Sequence, residues 1–199
     1  MRVVSCAILA TVAFASLALS GCATVSKGEC QGGDWYGIGV RDGANGYGEE
    51  RFIDNAKACA KHGITADRER WLDGRVRGLE RYCNVRNGLQ VGRRNDTYRG
   101  VCPLPDEEEF LRGYELGREL HFAHARLSSL DSEINDIRER LRRDREARDA
   151  KGEDEEKMKK YRLSDAERVE LAYRLGVATV KRDEAVRDCD ELEYRARDL

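Results

Sequence analysis

Four pairs of glycines, each pair spaced four apart, limit what this chain can fold into: Gly39/Gly43, Gly74/Gly78, Gly88/Gly92 and Gly113/Gly117. Three of them follow an aromatic residue, as in Trp35-Tyr36-Gly37-Ile38-Gly39, Trp71-Leu72-Asp73-Gly74 and Phe110-Leu111-Arg112-Gly113; the fourth follows Cys83. On a helix, positions four apart share a face. Two glycines there remove the side chains that hold helix axes apart. Each costs about 1 kcal/mol against alanine in a helix, so close packing has to offset the loss. The pattern therefore predicts a bundle of short helices crossing with backbones in near contact. The alternative use of such glycines is to admit a ligand to the backbone. Membrane helices pair through the same spacing, but these segments carry too many Arg and Asp for a bilayer.

A joint follows this region. The chain has only two prolines, both in Cys102-Pro103-Leu104-Pro105. Proline cannot continue a helix and restricts the residue before it. The two sides differ in charge: residues 22–105 carry 14 Lys or Arg against 11 Asp or Glu, and residues 106–199 carry 21 against 27. Neither is basic enough to suggest nucleic acid as a partner. Charged residues are 37% of the chain, against roughly 25% in an ordinary globular domain, which points to long solvated helices.

Beyond the joint, apolar residues recur at Leu116, Leu120, Ala123, Leu127, Leu130, Ile134, Ile137 and Leu141, alternating by four and three as in a heptad seam. The seam is expected to fail at Asp144 and Arg145, with a loop around Gly152. Ser164 with Glu167 forms a capping box for a second helix, whose seam runs Leu171, Leu175, Ala178, Arg182, Ala185, Cys189, Leu192, Ala196 and Leu199. Two such helices fold back as an antiparallel hairpin; pairing between chains is the alternative. The fold class is thus all-α: a small disulfide-stapled helical domain, then a long coiled-coil-like hairpin.

The N-terminus reads as an export signal. Met1-Arg2 precedes an apolar run from Val3 to Leu19, the order of a secretory signal. The run closes on Leu19-Ser20-Gly21-Cys22, which resembles the lipobox of bacterial lipoproteins. In that class the Cys22 thiol is acylated and the bond before it is cut, so the lipid anchors the chain. An ordinary signal peptide and a retained membrane helix are the alternatives. No later stretch is apolar enough to span a bilayer. Residue 23 is Ala, not the Asp that in such lipoproteins marks inner-membrane retention, so the expected location is the outer membrane, facing the periplasm.

Export makes cysteine pairing the default. Cys30, Cys59, Cys83 and Cys102 admit three connectivities. Cys30–Cys59 with Cys83–Cys102 is favoured because each closes a local loop, without excluding the others. A zinc site is the rival, weakened by the lack of any Cys-x-x-Cys pair or nearby histidine cluster. Cys189 is the odd thiol. It is either a small buried seam residue or the link in a homodimer.

The ordered set Cys30, Asp34-Trp35, Gly39, Asp42-Gly43, Gly46, Cys59, Gly74, Gly78-Leu79, Tyr82-Cys83, Gly92, Tyr98, Val101-Cys102, Phe110, Tyr114 and Gly117 resembles proteobacterial lipoproteins that carry a domain of unknown function. Trp71 departs from that pattern, standing where a tyrosine is expected. The resemblance covers about residues 30–120 and implies an exported, disulfide-bonded protein, with no activity to carry over.

The expected organisation is residues 1–21 as signal, 22–29 as lipidated tether, 30–120 as the stapled domain and 106–199 as the hairpin, the first long helix belonging to both. Chemistry is sparse. His62, His121 and His124 do not cluster, and neither a Gly-x-Ser-x-Gly elbow nor a His-Glu-x-x-His helix occurs. Asp34, Asp42 and Asp73 lie near Trp35, Tyr36 and Trp71, as carboxylates and rings do in a sugar groove, yet Asp beside Gly more often caps or turns the chain. The expectation is no enzyme, no metal, and no cofactor beyond the lipid on Cys22. The expected role is structural or adaptor-like, presenting the hairpin to an envelope protein. The alternatives are a peptidoglycan-binding module using Trp35, Trp71, Asp34 and Asp42, or an inhibitor of an envelope hydrolase.

Overall fold

The structure, a computed structural model, describes residues 24–199. The expected signal segment, residues 1–21, and the expected lipidation site Cys22 lie outside the described residues. The described chain is all-helical: α1 (Lys27–Gly32), α2 (Trp35–Ala44), α3 (Glu50–Ala60), α4 (Arg68–Tyr82), α5 (Val85–Arg93), α6 (Asp106–Asp149), α7 (Glu153–Met158) with a following 3-10 turn (Lys159–Tyr161), and α8 (Asp165–Arg197).

Short polar residues set the starts of these helices, as capping chemistry requires. Asp34, Asp67 and Asn84 accept from the backbone N–H three residues on, in α2, α4 and α5. Ser26 and Ser164 form full capping boxes with Glu29 and Glu167. Helix α6 begins directly after Pro105, with Asp106, Glu107, Glu108 and Glu109 in its first turn, where carboxylates favour the helix dipole.

The glycine pairs are the crossing points. Helix α2 packs on α4, and α5 packs on the start of α6. A methyl group built on Gly39 would strike the Trp71 carbonyl, and one on Gly74 the Tyr36 carbonyl. In the second crossing, Gly88 meets the Phe110 carbonyl and Gly113 the Val85 carbonyl in the same way. Gly43 against Gly78, and Gly92 against Gly117, complete each contact alpha carbon to alpha carbon. The chain therefore holds two copies of one crossing, with Trp71 and Phe110 at equivalent places one turn before a glycine.

A disulfide staples each copy: Cys30–Cys59 joins α1 to α3, and Cys83–Cys102 closes the segment that contains α5. This is the local-loop connectivity. Around the first bridge pack Val25, Trp35, Ile38 and Trp71, with Phe52 from α3 between the two indoles. Around the second pack Leu79, Tyr82, Val91 and Phe110, with Phe110 stacked on Tyr82 and lying against Tyr98 and Tyr114.

Helix α6 then runs on for 44 residues, about 66 Å at 1.5 Å per residue, and α8 returns antiparallel along it. Ile134, Ile137, Leu171, Ala178, Ala185 and Cys189 are buried between them. At its far end α8 comes home to the stapled domain, where Leu192 and Ala196 pack on Leu89, Leu116 and Leu120. Arg93 donates to Glu193 at 2.5 Å, and Arg195 pairs with Glu119 at 3.2 Å. The hairpin is thus fixed at its base rather than free along its whole length.

One boundary differs from the sequence reading. The seam does not fail at Asp144. Helix α6 continues to Asp149, and Asp144 and Ala147 occupy buried seam positions. Asp144 is tolerated there because its oxygens accept the Leu163 N–H at 2.7 Å and the Arg148 Nε at 3.0 Å, while Arg168 stands 3.8 Å away. Part of the loop expected around Gly152 is also helical, as α7 and the 3-10 turn.

Candidate functional site

The residues offered as a sugar-binding groove do not form one. Trp35 is 4% exposed and Trp71 fully buried, so neither ring has a free face on which a sugar could stack. Asp34 serves as the N-cap of α2, its Oδ1 taking the Gly37 N–H at 2.9 Å. Asp42 is fully buried on α2. Its Oδ2 accepts from Trp71 Nε1 at 3.0 Å and from Asn55 Nδ2 at 2.7 Å. The four residues are thus two core rings, a cap and an internal acceptor that ties α2 to α3 and α4. The glycines, likewise, meet other backbones rather than leaving room for a ligand.

Asp42 is the chemical difference between the two crossings, since the matching position on α5 is Val91. Its second oxygen, Oδ1, makes no hydrogen bond and lies 3.8 Å from Arg41 Nε and 3.9 Å from Arg51 Nε. The Arg51 guanidinium lies over the Tyr47 ring at 4.2 Å, and Arg99 approaches the same ring at 5.0 Å. Arg75 Nε donates to the Tyr47 carbonyl at 2.8 Å. Cations packed on a ring in this way hold the turn between α2 and α3.

Titration is displaced at a few positions, each with a local cause. The Ser26 backbone and hydroxyl bonds and the Arg41 guanidinium hold Glu29 down to about 2. Burial pushes Tyr98 up to about 12, with Glu107 accepting its hydroxyl. Burial alone would raise Glu193, but the bonds from His124 and Arg93 outweigh it and leave that carboxyl below the ordinary range. These are packing and anchoring effects. Among the described residues no group of three or more His, Cys, Asp or Glu is placed to share a metal ion.

Cys189 sits at 4% exposure in the hairpin seam, its thiol pushed up by burial and by the neighbouring acids. It faces α6, so a disulfide to another chain would require the hairpin to open. Of the two expectations for Cys189, its burial fits the small seam residue rather than the homodimer link. Cys22 lies outside the described residues. Among those residues no helix is long and apolar enough to cross a membrane.

What the sequence reading missed lies on the outside of α8. Val169, Tyr173 and Val180 are 71%, 69% and 61% exposed. With Gly176 between them they follow a four-three-four spacing on the face turned away from α6. Ala172, Val177, Lys181 and Glu184 border an open, mostly apolar depression along this stripe. The signal was in the sequence, as a second apolar periodicity interleaved with the seam. It is hidden there because the stronger seam explains the helix by itself. Two arginines of α8 reach across to α6: Arg174 pairs with Glu133 at 2.8 Å and Arg182 with Asp131 at 3.2 Å.

The molecule is therefore a stapled double-crossing helical domain that carries a long hairpin, with apolar surface on the hairpin and sealed aromatic clusters in the domain. Residues 34–119 match the family described as a protein of unknown function (DUF2799). The match begins at the Asp34 cap and ends in α6 just beyond the second crossing, so it spans both crossings and leaves out most of the hairpin. The chain matches no curated protein and no solved structure.

Proposed function

We propose that this chain is a lipid-anchored envelope protein, held at the outer membrane through Cys22 and facing the periplasm, with a structural or adaptor role. The observation that carries the reading is the α6–α8 hairpin: an arm fixed at its base to a stapled domain, with apolar surface left on its outer side. Large exposed apolar patches mark interaction sites more often than chance. The two disulfides suit an oxidising compartment, and the Leu19-Ser20-Gly21-Cys22 run supplies the anchor.

The anchor is tested by fractionation. Cys22→Ser is expected to leave the chain unlipidated and uncleaved, and Ala23→Asp to shift it to the inner-membrane fraction. Lipid labelling that persists in Cys22→Ser would remove the anchor from the proposal. The adaptor role is tested by photo-crosslinking in living cells, with probes at Arg138 on α6 and Arg187 on α8, both exposed, followed by mass spectrometry. One dominant envelope protein captured at these positions supports the role. Background capture at both sinks it.

A further inference from the structure

We propose that the outer face of α8 is a homodimer interface, in which two copies of this chain pair antiparallel through Val169, Tyr173, Gly176 and Val180. The proposal rests on the reading of this outer face as an interaction surface, which the adaptor role also uses, and names a second copy as its occupant. That choice rests on the self-complementarity of this one helix face.

A two-fold axis through the Arg174–Leu175 peptide places each stripe residue opposite a fitting one. Val169 then faces Val180 of the second copy, and Tyr173 faces Gly176, a large side chain over the one position with none. Nothing lies within 4 Å of a methyl group built on Gly176 in the single chain, so the hollow is open to a neighbouring ring. Interlocking of large and small residues between antiparallel helices is the packing that a heptad spacing favours. A parallel pair would set Tyr173 on Tyr173 and leave glycine against glycine.

Charge supports the same register. Glu170 and Lys181 lie on the same flank of the stripe, and neither takes part in the ion pairs within the hairpin. The axis brings Glu170 of each copy beside Lys181 of the other, giving two opposite-charge contacts. Asp165 and Asp183 also draw together on the other flank, but each is already paired within its own copy, with Arg168 and Arg182. Arg174, near the axis, is held back toward α6 by Glu133.

The test uses two differently tagged full-length copies expressed in one cell, extracted in mild detergent and captured through one tag. Wild-type copies are expected to co-purify, and Tyr173→Glu to abolish the co-purification. A chain with both Glu170→Lys and Lys181→Glu should pair with itself as well as wild type does. It should pair with wild type roughly tenfold less, because both contacts become repulsive. These positions are exposed, so helix content and thermal unfolding report that each variant is folded. Absence of wild-type co-purification overturns the proposal, as does equal pairing of the doubly reversed chain with wild type and with itself. Either result leaves envelope-protein capture at Arg138 standing as a separate matter.

Discussion

At the residue scale, stability depends on atoms that are missing as much as on those present. At Gly78 a methyl group would meet the Val40 carbonyl and the Ala44 amide, both backbone atoms that cannot swing aside. Gly78→Ala is therefore expected to destabilise by about 1–3 kcal/mol, the usual cost of overpacking, despite alanine's better helix propensity. Gly176→Ala has open space around it and should stabilise the folded monomer by about 1 kcal/mol. Thermal unfolding of the two variants side by side decides the matter; a shift in the same direction for both would refute the crossing argument. Asp42→Ala strips the buried Trp71 and Asn55 donors of their shared acceptor, and each unsatisfied group costs about 1–3 kcal/mol. Denaturant titration should show a loss of about 3 kcal/mol, whereas Asp34→Ala, which removes only a cap, should cost about 1 kcal/mol.

At the scale of elements, the tip of the hairpin is held by an acid at a position that periodicity assigns to an apolar residue. Burial pushes Asp144 upward, but the Leu163 amide and the Arg148 guanidinium outweigh it, so its folded value lies below the ordinary one. A depressed carboxyl contributes stability that is fully present above the unfolded value, about 3.9, and is lost as the pH falls below that value toward the folded one. The hairpin should accordingly loosen on acidification below about pH 4. Asp144→Asn should lower its stability at neutral pH and flatten that part of the profile, as followed by circular dichroism. The disulfides act on other elements. Reducing either bridge should destabilise the stapled domain by about 3 kcal/mol, measured as a lower midpoint in denaturant, with the α6–α8 seam less affected.

At the scale of the whole molecule, the hairpin and the stapled domain meet where Leu192 and Ala196 rest on Leu89, Leu116 and Leu120. Cys189 lies one turn from this junction and reports on it. Its buried, raised thiol should resist maleimide in the native chain and react once denaturant opens the seam; prompt labelling of the native protein would mean that α8 does not rest on α6 as described. Much of this architecture was legible beforehand. Glycine spacing announced the crossings, since close helix–helix contact offsets the cost of two missing side chains on one face. The four-three alternation and the Ser164 capping box announced the hairpin, because both are local signals that need no partner to be read. The candidate site was poorly legible. An indole beside a carboxylate reads alike whether the ring lies on a surface or in a core, and only packing against Phe52 and Asn55 sealed Trp71 and Asp42 away. Asp144 misled for a related reason: a charged side chain on a seam breaks it unless distant groups, here Leu163 and Arg168, arrive to neutralise it. The sequence by itself determined where helices start, which of their faces are apolar and how closely they can approach, for these follow from neighbouring residues. Tertiary structure alone decided which rings and acids are buried and which face of α8 stays bare, since burial depends on elements far apart along the chain.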